Sequence, residues 1–425
     1  MNPNDVIAAK NSGRTIPTSD LHDFISGYVK GSIDDATMTQ LLQAILDKGM
    51  SAEEIFTMVD IMIHSGQCMD FSNDAQYVAD KHSTGGVGDK VSLVLAPLLA
   101  AAGIKIPMIS GRSLGHTGGT VDKLETISGF RTDVSLQQFH EWVDDIGFGI
   151  MAQSAEICPA DGKIYALRDV TGTIASAPLI CGSIMSKKIA SGIEGLVLDI
   201  KVGSGGFMPT LSAGKELGEM LKDVGEYFGV KTDLVYTNMD QPLGCYSGMW
   251  CEVQEAMDCL AGKGPADTMA VTLKLAAKLM IQSKLAETEE ESDQLLNDLL
   301  TNGKALEKFH QFIDAQGGSL EETNNEPRFK IDVPAKADGF IESIDTTAIG
   351  WGLTDMGCGR RHKNDILDPT AGLECIKKIG DPVHEGDIIF QCFCCAEEKL
   401  KEGVEKIANA VTISSASIEQ ILIYN

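Results

Sequence analysis

Three stretches of this chain run into glycine-rich turns. Lys81-His82-Ser83-Thr84-Gly85-Gly86-Val87-Gly88-Asp89 follows a short strand and opens an apolar helix at Val91. Ser110-Gly111-Arg112-Ser113-Leu114-Gly115-His116-Thr117-Gly118-Gly119-Thr120 repeats the pattern with hydroxyls and a basic residue. The buried-strand run Gly195-Leu196-Val197-Leu198-Asp199-Ile200-Lys201-Val202 ends in Gly203-Ser204-Gly205-Gly206. Strands that feed glycine turns and then helices specify an α/β sheet.

The flanking regions differ in texture. In the first 65 residues apolar positions recur at helical spacing, as in Leu41, Leu42, Ile45, Leu46 and in Ile55, Met58, Val59, Met62. Gly31, Gly49 and Gly66 punctuate them as helix stops, and Ser51 with Glu54 forms a capping box. Residues 211–320 read helical, with the acidic run 287–293 as a solvated helix face. From about residue 330 short strand-like segments return, with a turn at 380–387. A length of 425 residues accommodates two or three such domains.

Composition excludes several classes. The formal charge of −26 argues against a nucleic-acid binder, which needs a basic face. The longest apolar stretch, 91–109, is broken by Ser92, Pro97, Gly103, Lys105 and Pro107, so no membrane span is expected. Eleven scattered cysteines behind an N-terminus without a basic or apolar run read as reduced thiols in a cytoplasmic protein. Cys392-Phe393-Cys394-Cys395 lacks a second half for zinc and reads as small buried side chains.

The glycine loops carry the chemistry. Their backbone N–H groups can approach an anion, and a helix N-terminus adds partial positive charge. Lys81, Ser83 and Thr84 supply a cation and hydroxyls. The first loop is neither a Walker A nor a dinucleotide fingerprint, since no Gly-Lys-Ser/Thr closes it and Val91 stands where a third Gly would. A plain tight turn is the competing reading. Further on, Tyr165-Ala166-Leu167-Arg168-Asp169-Val170-Thr171 precedes Ser183-Ile184-Met185-Ser186-Lys187-Lys188. Ser183 and Lys187 share a helix face at i and i+4. A planar Arg with a Ser and a Lys can grip an amide-rich ring, or simply form the basic end of a surface helix.

In this order the segments resemble the pyrimidine nucleoside phosphorylases, the group that includes thymidine phosphorylase. The strongest piece is 110–125, similar to the family's Ser-Gly-Arg, Leu-Gly-His-Thr-Gly-Gly-Thr and Asp-Lys-Leu-Glu signature. Residues 81–89, 165–173, 183–188, 199–208 and 302–309 also match in register. The resemblance implies an α/β protein with a small all-helical domain, a large α/β domain with a mixed sheet, and a C-terminal α+β subdomain. The expected limits are 1–66 with about 160–192 for the helical, dimerising part, 75–158 with 193–325 for the phosphate-binding part, and 330–425 for the last.

The resemblance implies phosphorolysis of a pyrimidine nucleoside (thymidine, uridine or deoxyuridine) by a cytoplasmic homodimer. Inorganic phosphate is the co-substrate, and no cofactor is expected. Phosphate falls to Lys81, Ser83, Ser92, Ser110 and Thr120. The base falls to Arg168, Ser183 and Lys187, with Tyr165, Leu114, Ile180 and Phe207 around the ring and His82 as proton donor. Two positions depart from the family. Ser113 stands where relatives carry Gly or Ala. Lys90 stands where potassium-binding relatives carry a small hydroxyl residue, the other positions of that ion site being Gly88, Leu243, Tyr246 and Glu255. The expectation is that the Lys90 ammonium replaces the ion and pairs with Glu255, against a solvated lysine. A phosphoribosyltransferase of the same fold and a non-catalytic nucleoside-binding protein are the alternatives.

Overall fold

Ser51 and Glu54 show how local chemistry starts the fold. The Glu54 amide donates to Ser51 Oγ at 3.3 Å and the Ser51 amide donates to the Glu54 carboxylate at 2.7 Å, opening helix Ala52–Ile63. The same buried carboxylate accepts from Lys10 Nζ at 2.7 Å and from the Ile16 amide at 2.8 Å. One side chain therefore starts a helix and ties two earlier segments to it. The computed structural model describes residues 2–424 except 73, 114, 363 and 364.

Helices Pro3–Asn11, Thr18–Val29, Asp35–Lys48 and Ala52–Ile63 share a core with Pro159–Thr171 and Ala177–Ala190. Leu21, Phe24, Leu41, Leu42, Met58, Ile164 and Leu179 fill it. A Cβ on Gly182 would lie 2.4 Å from Met58 Cε, so the helices carrying them pack closely. Gly66 has a different part from the expected helix stop. The helix ends at Ile63, and a Cβ on Gly66 would lie 2.3 Å from the Glu156 carbonyl. The helical unit spans Met1–Val78, Gln153–Leu196 and Glu216–Thr232. Periodicity marks neither of the later pieces.

The second unit comprises Ala79–Ala152, Val197–Lys215 and Asp233–Asn425. One sheet orders its strands Ala79–Ser83, Gly195–Val202, Lys231–Asn238, Ile423–Tyr424. Every residue of Gly195–Val202 is buried. Ile106–Ser110 pairs in parallel with Phe148–Ala152, while Ile423–Tyr424 runs antiparallel to Lys231–Asn238. The unit thus holds both kinds of pairing. Lys231–Asn238 interrupts the region expected to be helical; it lies between two other strands of the sheet, with Thr232, Val235, Thr237 and Asn238 buried.

Helices Trp250–Leu260, Ala266–Gln282, Glu289–Thr301 and Lys304–Ala315 follow. Thr288 caps the acidic helix, and Glu289 pairs with Lys274 at 2.6 Å and Lys278 at 3.0 Å. From Phe329 on, antiparallel strands pair, among them Ile388–Cys394 with Phe329–Pro334 and Gly372–Cys375. Helix Glu397–Ile407 completes this α+β part. All eleven cysteines are free thiols, and Cys392 and Cys394 are buried. Among the described residues no helix is long and apolar enough to cross a membrane.

Glu54 carries a testable consequence. Burial pushes its pKa up, but the Ile16 amide, Lys10 and the Ser51 amide outweigh burial and hold it below the usual glutamate range. A depressed folded-state pKa adds stability that is present at neutral pH and lost as pH falls through it. Glu54→Gln is expected to cost about 2–3 kcal/mol at pH 7, the range for hydrogen bonds to a charged group. The deficit in urea unfolding should begin to shrink below about pH 4, near the unfolded glutamate pKa, and close only as pH falls through the lower folded pKa.

Candidate active site

The first glycine loop is strapped to the neighbouring strand through Thr84. Its amide donates to the Asp199 carbonyl at 3.0 Å, and its hydroxyl accepts from the Lys201 amide at 2.9 Å. Ser83 Oγ accepts from the Gly85 amide at 3.2 Å. The loop ends at helix Val91–Ala102, whose N-cap residue Lys90 makes no side-chain cap. Lys81 is 2% exposed, with Nζ 3.4 Å from Ser92 Oγ, 3.8 Å from Asp89 and 3.9 Å from Asp199. Strand alternation turns His82 away from the side shared by Lys81 and Ser83.

The second loop converges on the first. Gly85 has φ +98°, and a Cβ there would meet the Phe207 ring at 3.2 Å and Thr117 Oγ1 at 3.4 Å. Phe207 lies 5.7 Å from the His116 ring, whose Nε2 is 3.2 Å from the Gly205 carbonyl. Burial lowers the His116 pKa. Ser110 ends strand Ile106–Ser110 and Thr120 begins helix Thr120–Leu124, so two hydroxyls frame the loop. Asp122 holds the loop between them. Its carboxylate accepts from the Ser113 amide at 2.7 Å, Arg112 at 3.1 Å and Arg360 at 2.6 Å. Among the described residues the buried Ser113 Oγ has no hydrogen-bond partner, so its hydroxyl adds no tie to them. Leu114 lies outside the described residues.

In the helical unit, Tyr165 and Arg168 lie on Pro159–Thr171, and Ile180, Ser183 and Lys187 on Ala177–Ala190. Lys187 Nζ donates to Ser183 Oγ at 3.0 Å and to Asp161 Oδ2 at 2.5 Å. Asp161 is 1% exposed, and its Oδ1 has no hydrogen-bond partner among the described residues. Arg168 is 2% exposed and donates to the carbonyls of Thr173, Ile174 and Leu179. Burial lowers its pKa, against the opposing pull of Asp161. Three of its five N–H donors therefore fix the turn between the two helices. Its guanidinium carbon lies 5.6 Å from the centre of the Tyr165 ring. Asp161 escaped the sequence reading, although 161, 165 and 168 share a helix face at i, i+4 and i+7.

Lys90 is 1% exposed. Its Nζ lies 2.6 Å from Glu255 Oε2 and donates to the carbonyls of Leu243 and Tyr246 at 2.8 Å each. Three acceptors match the three donors of an ammonium. Burial lowers its pKa, but Glu255 raises it further, so the group is a cation. Gly244, at φ +74°, is required here, since a Cβ would lie 2.4 Å from Glu255 Oε2. Gly88 closes against the same loop, where a Cβ would lie 2.5 Å from the Leu243 carbonyl.

Comparison with known proteins places these features. Residues 75–306 match the glycosyl transferase family a/b domain, and 4–66 its helical bundle domain. Residues 340–414 match the pyrimidine nucleoside phosphorylase C-terminal domain. The chain is 40% identical over 419 residues to a pyrimidine-nucleoside phosphorylase of Staphylococcus haemolyticus, covering 96% of this chain and 97% of that one. The chain belongs to the pyrimidine-nucleoside phosphorylase family. A second member, from Staphylococcus aureus, is 40% identical over 425 residues, 99% of this chain and 98% of its own. The fold also resembles anthranilate phosphoribosyltransferase from Thermus thermophilus, with a TM-score of 0.59 at 16% identity, over 73% of this chain and 99% of that one. At that identity the likeness is one of fold.

Proposed function

We propose that this family member catalyses the reversible phosphorolysis of pyrimidine nucleosides, thymidine, uridine and deoxyuridine, to free base and pentose 1-phosphate. The observation that carries the reading is the buried Lys81 at 3.4 Å from Ser92 Oγ, on the loop that the family match covers. A phosphate oxygen attacks the anomeric carbon, the glycosidic C–N bond breaks, and its electron pair leaves on the pyrimidine. Phosphate is itself the nucleophile, so the protein positions reactants and stabilises charge. Lys81, Ser83, Ser92, Ser110 and Thr120 hold phosphate in this reading. Arg168, Ser183 and Lys187 hold the base oxygens, with Tyr165, Ile180 and Phe207 against the ring, and His82 donates the proton the base takes up. The enzyme acts as a cytoplasmic homodimer, for which sedimentation at micromolar concentration should give twice the mass of the chain.

The test is base release followed by ultraviolet absorbance, with thymidine and uridine in parallel. Release from both, only with phosphate, is expected. No release from either by a folded protein would overturn the reading.

Lys90 extends it. The same proposal places the Lys90 ammonium where potassium-binding relatives hold their ion, with Gly88, Leu243, Tyr246 and Glu255 around it. Turnover is then expected to be equal in sodium and potassium buffers of one ionic strength. Strong activation by potassium would contradict the replacement.

A further inference from the structure

The strand beside Lys81 buries two charges that phosphate binding does not explain. Asp199 and Lys201 sit two residues apart on Gly195–Val202, and both are 0% exposed. Alternation puts them on one side of that strand, next to Ala79–Ser83 in the sheet. Their side chains close a ring with Lys81 and Asp89. Lys201 Nζ is 2.7 Å from Asp199 Oδ2, and Asp199 is 3.9 Å from Lys81 Nζ. Lys81 is 3.8 Å from Asp89, and Asp89 is 4.0 Å from Lys201. Around the ring every neighbour carries the opposite sign.

The ring is tied from outside. Thr237 Oγ1 donates to Asp199 Oδ1 at 2.6 Å. Lys123 Nζ donates to the Asp89 carbonyl at 3.0 Å and pairs with Glu252 at 2.5 Å. Among the described residues neither Lys201 Nζ nor Asp199 Oδ2 has an aligned hydrogen-bond partner, so their contact is one of charge. Burial opposes ionisation of Asp89, but Lys201 first and Lys81 second outweigh it and hold its pKa far below the usual range. Burial likewise works against the charge of Lys201, and Asp199 and Asp89 restore it. Asp89 is therefore a carboxylate and Lys201 an ammonium.

Two aspartates face Lys81, and unopposed they would cancel its attraction for an anion. We propose that Lys201 is a positioning residue that offsets one of the two carboxylate charges about Lys81 and so preserves part of the Lys81 attraction for phosphate. This rests on Lys81 as a phosphate ligand. The ring then sets the strength of the phosphate site without touching phosphate. Its parts act through charge balance, so removing one sign and removing the other have opposite effects.

The experiment measures KM for phosphate and for nucleoside in wild type, Lys201→Met, Asp199→Asn and the double variant. Lys201→Met leaves two carboxylates about one ammonium and is expected to raise the phosphate KM about 100-fold, the size of a misplaced catalytic contact, with the nucleoside KM little changed. Asp199→Asn keeps the shape and the Thr237 acceptor, and its phosphate KM should not rise. The double variant, one charge of each sign removed, should recover most of the single loss. A merely structural role predicts the reverse, with both KM values moving together and the double variant worse than either single one. That result overturns the proposal. If Lys201→Met is not recovered folded, a phosphate KM that rises in Asp199→Asn overturns it equally. Wild type without phosphate-dependent base release would instead overturn the proposed function.

Discussion

Lys90→Met is expected to remove about 3–5 kcal/mol of stability, the cost of stripping one partner from a buried ion pair. Methionine fills the space of the lysine stem but gives no donor. Glu255, 4% exposed, would lose its cation, and the carbonyls of Leu243 and Tyr246 would each lose a hydrogen bond. Among the described residues Glu255 would keep the amides of Cys245 and Tyr246. Gly244 leaves the loop little room to adjust, because its backbone is held at φ +74° against the same pair. The measurement is urea unfolding followed by circular dichroism. Lys90→Met/Glu255→Gln should recover part of the loss, since removing both charges avoids the unpaired one. A single variant within about 1 kcal/mol of wild type would match an exposed pair and show that Lys90 does not hold this loop.

Lys187→Met should lower kcat/KM by about 10²–10³, as loss of one donor to a developing anion does. It should also destabilise the helical unit. Lys187 bridges Ser183 Oγ and the buried Asp161 carboxylate, whose other oxygen already lacks a partner. The two effects separate in Lys187→Met/Asp161→Asn. Removing the carboxylate charge should restore the melting temperature while leaving kcat/KM low. Were activity to return together with stability, Lys187 would be a structural lysine and base recognition would have to lie elsewhere.

Local signals were legible where chemistry acts over a few residues. The capping box at Ser51 and Glu54 and the strand running into Gly203 are of this kind. The pairing of Lys90 with Glu255 was also anticipated, but by resemblance, because no spacing connects residues so far apart. What stayed hidden was long-range. Lys231–Asn238 is eight residues between helices, and its place beside Gly195–Val202 is fixed by packing. Ile423–Tyr424 joins that sheet across nearly the whole second half of the chain. Asp199 and Lys201 stand in an otherwise apolar strand, where alternation alone cannot say which neighbour supplies the opposing charge. Nothing near Arg168 in sequence signals that it fixes the carbonyls of the turn that follows.

A phosphorylase consumes inorganic phosphate as the glycosidic bond breaks. Phosphorus magnetic resonance of the wild-type enzyme with thymidine and phosphate tests it directly, with thymine measured in the same tube. The inorganic phosphate signal should be replaced by a sugar 1-phosphate signal, one molecule for each thymine released, and added thymine should drive the exchange back. Thymine released while the phosphate signal stays unchanged would mean hydrolysis and rule out phosphorolysis.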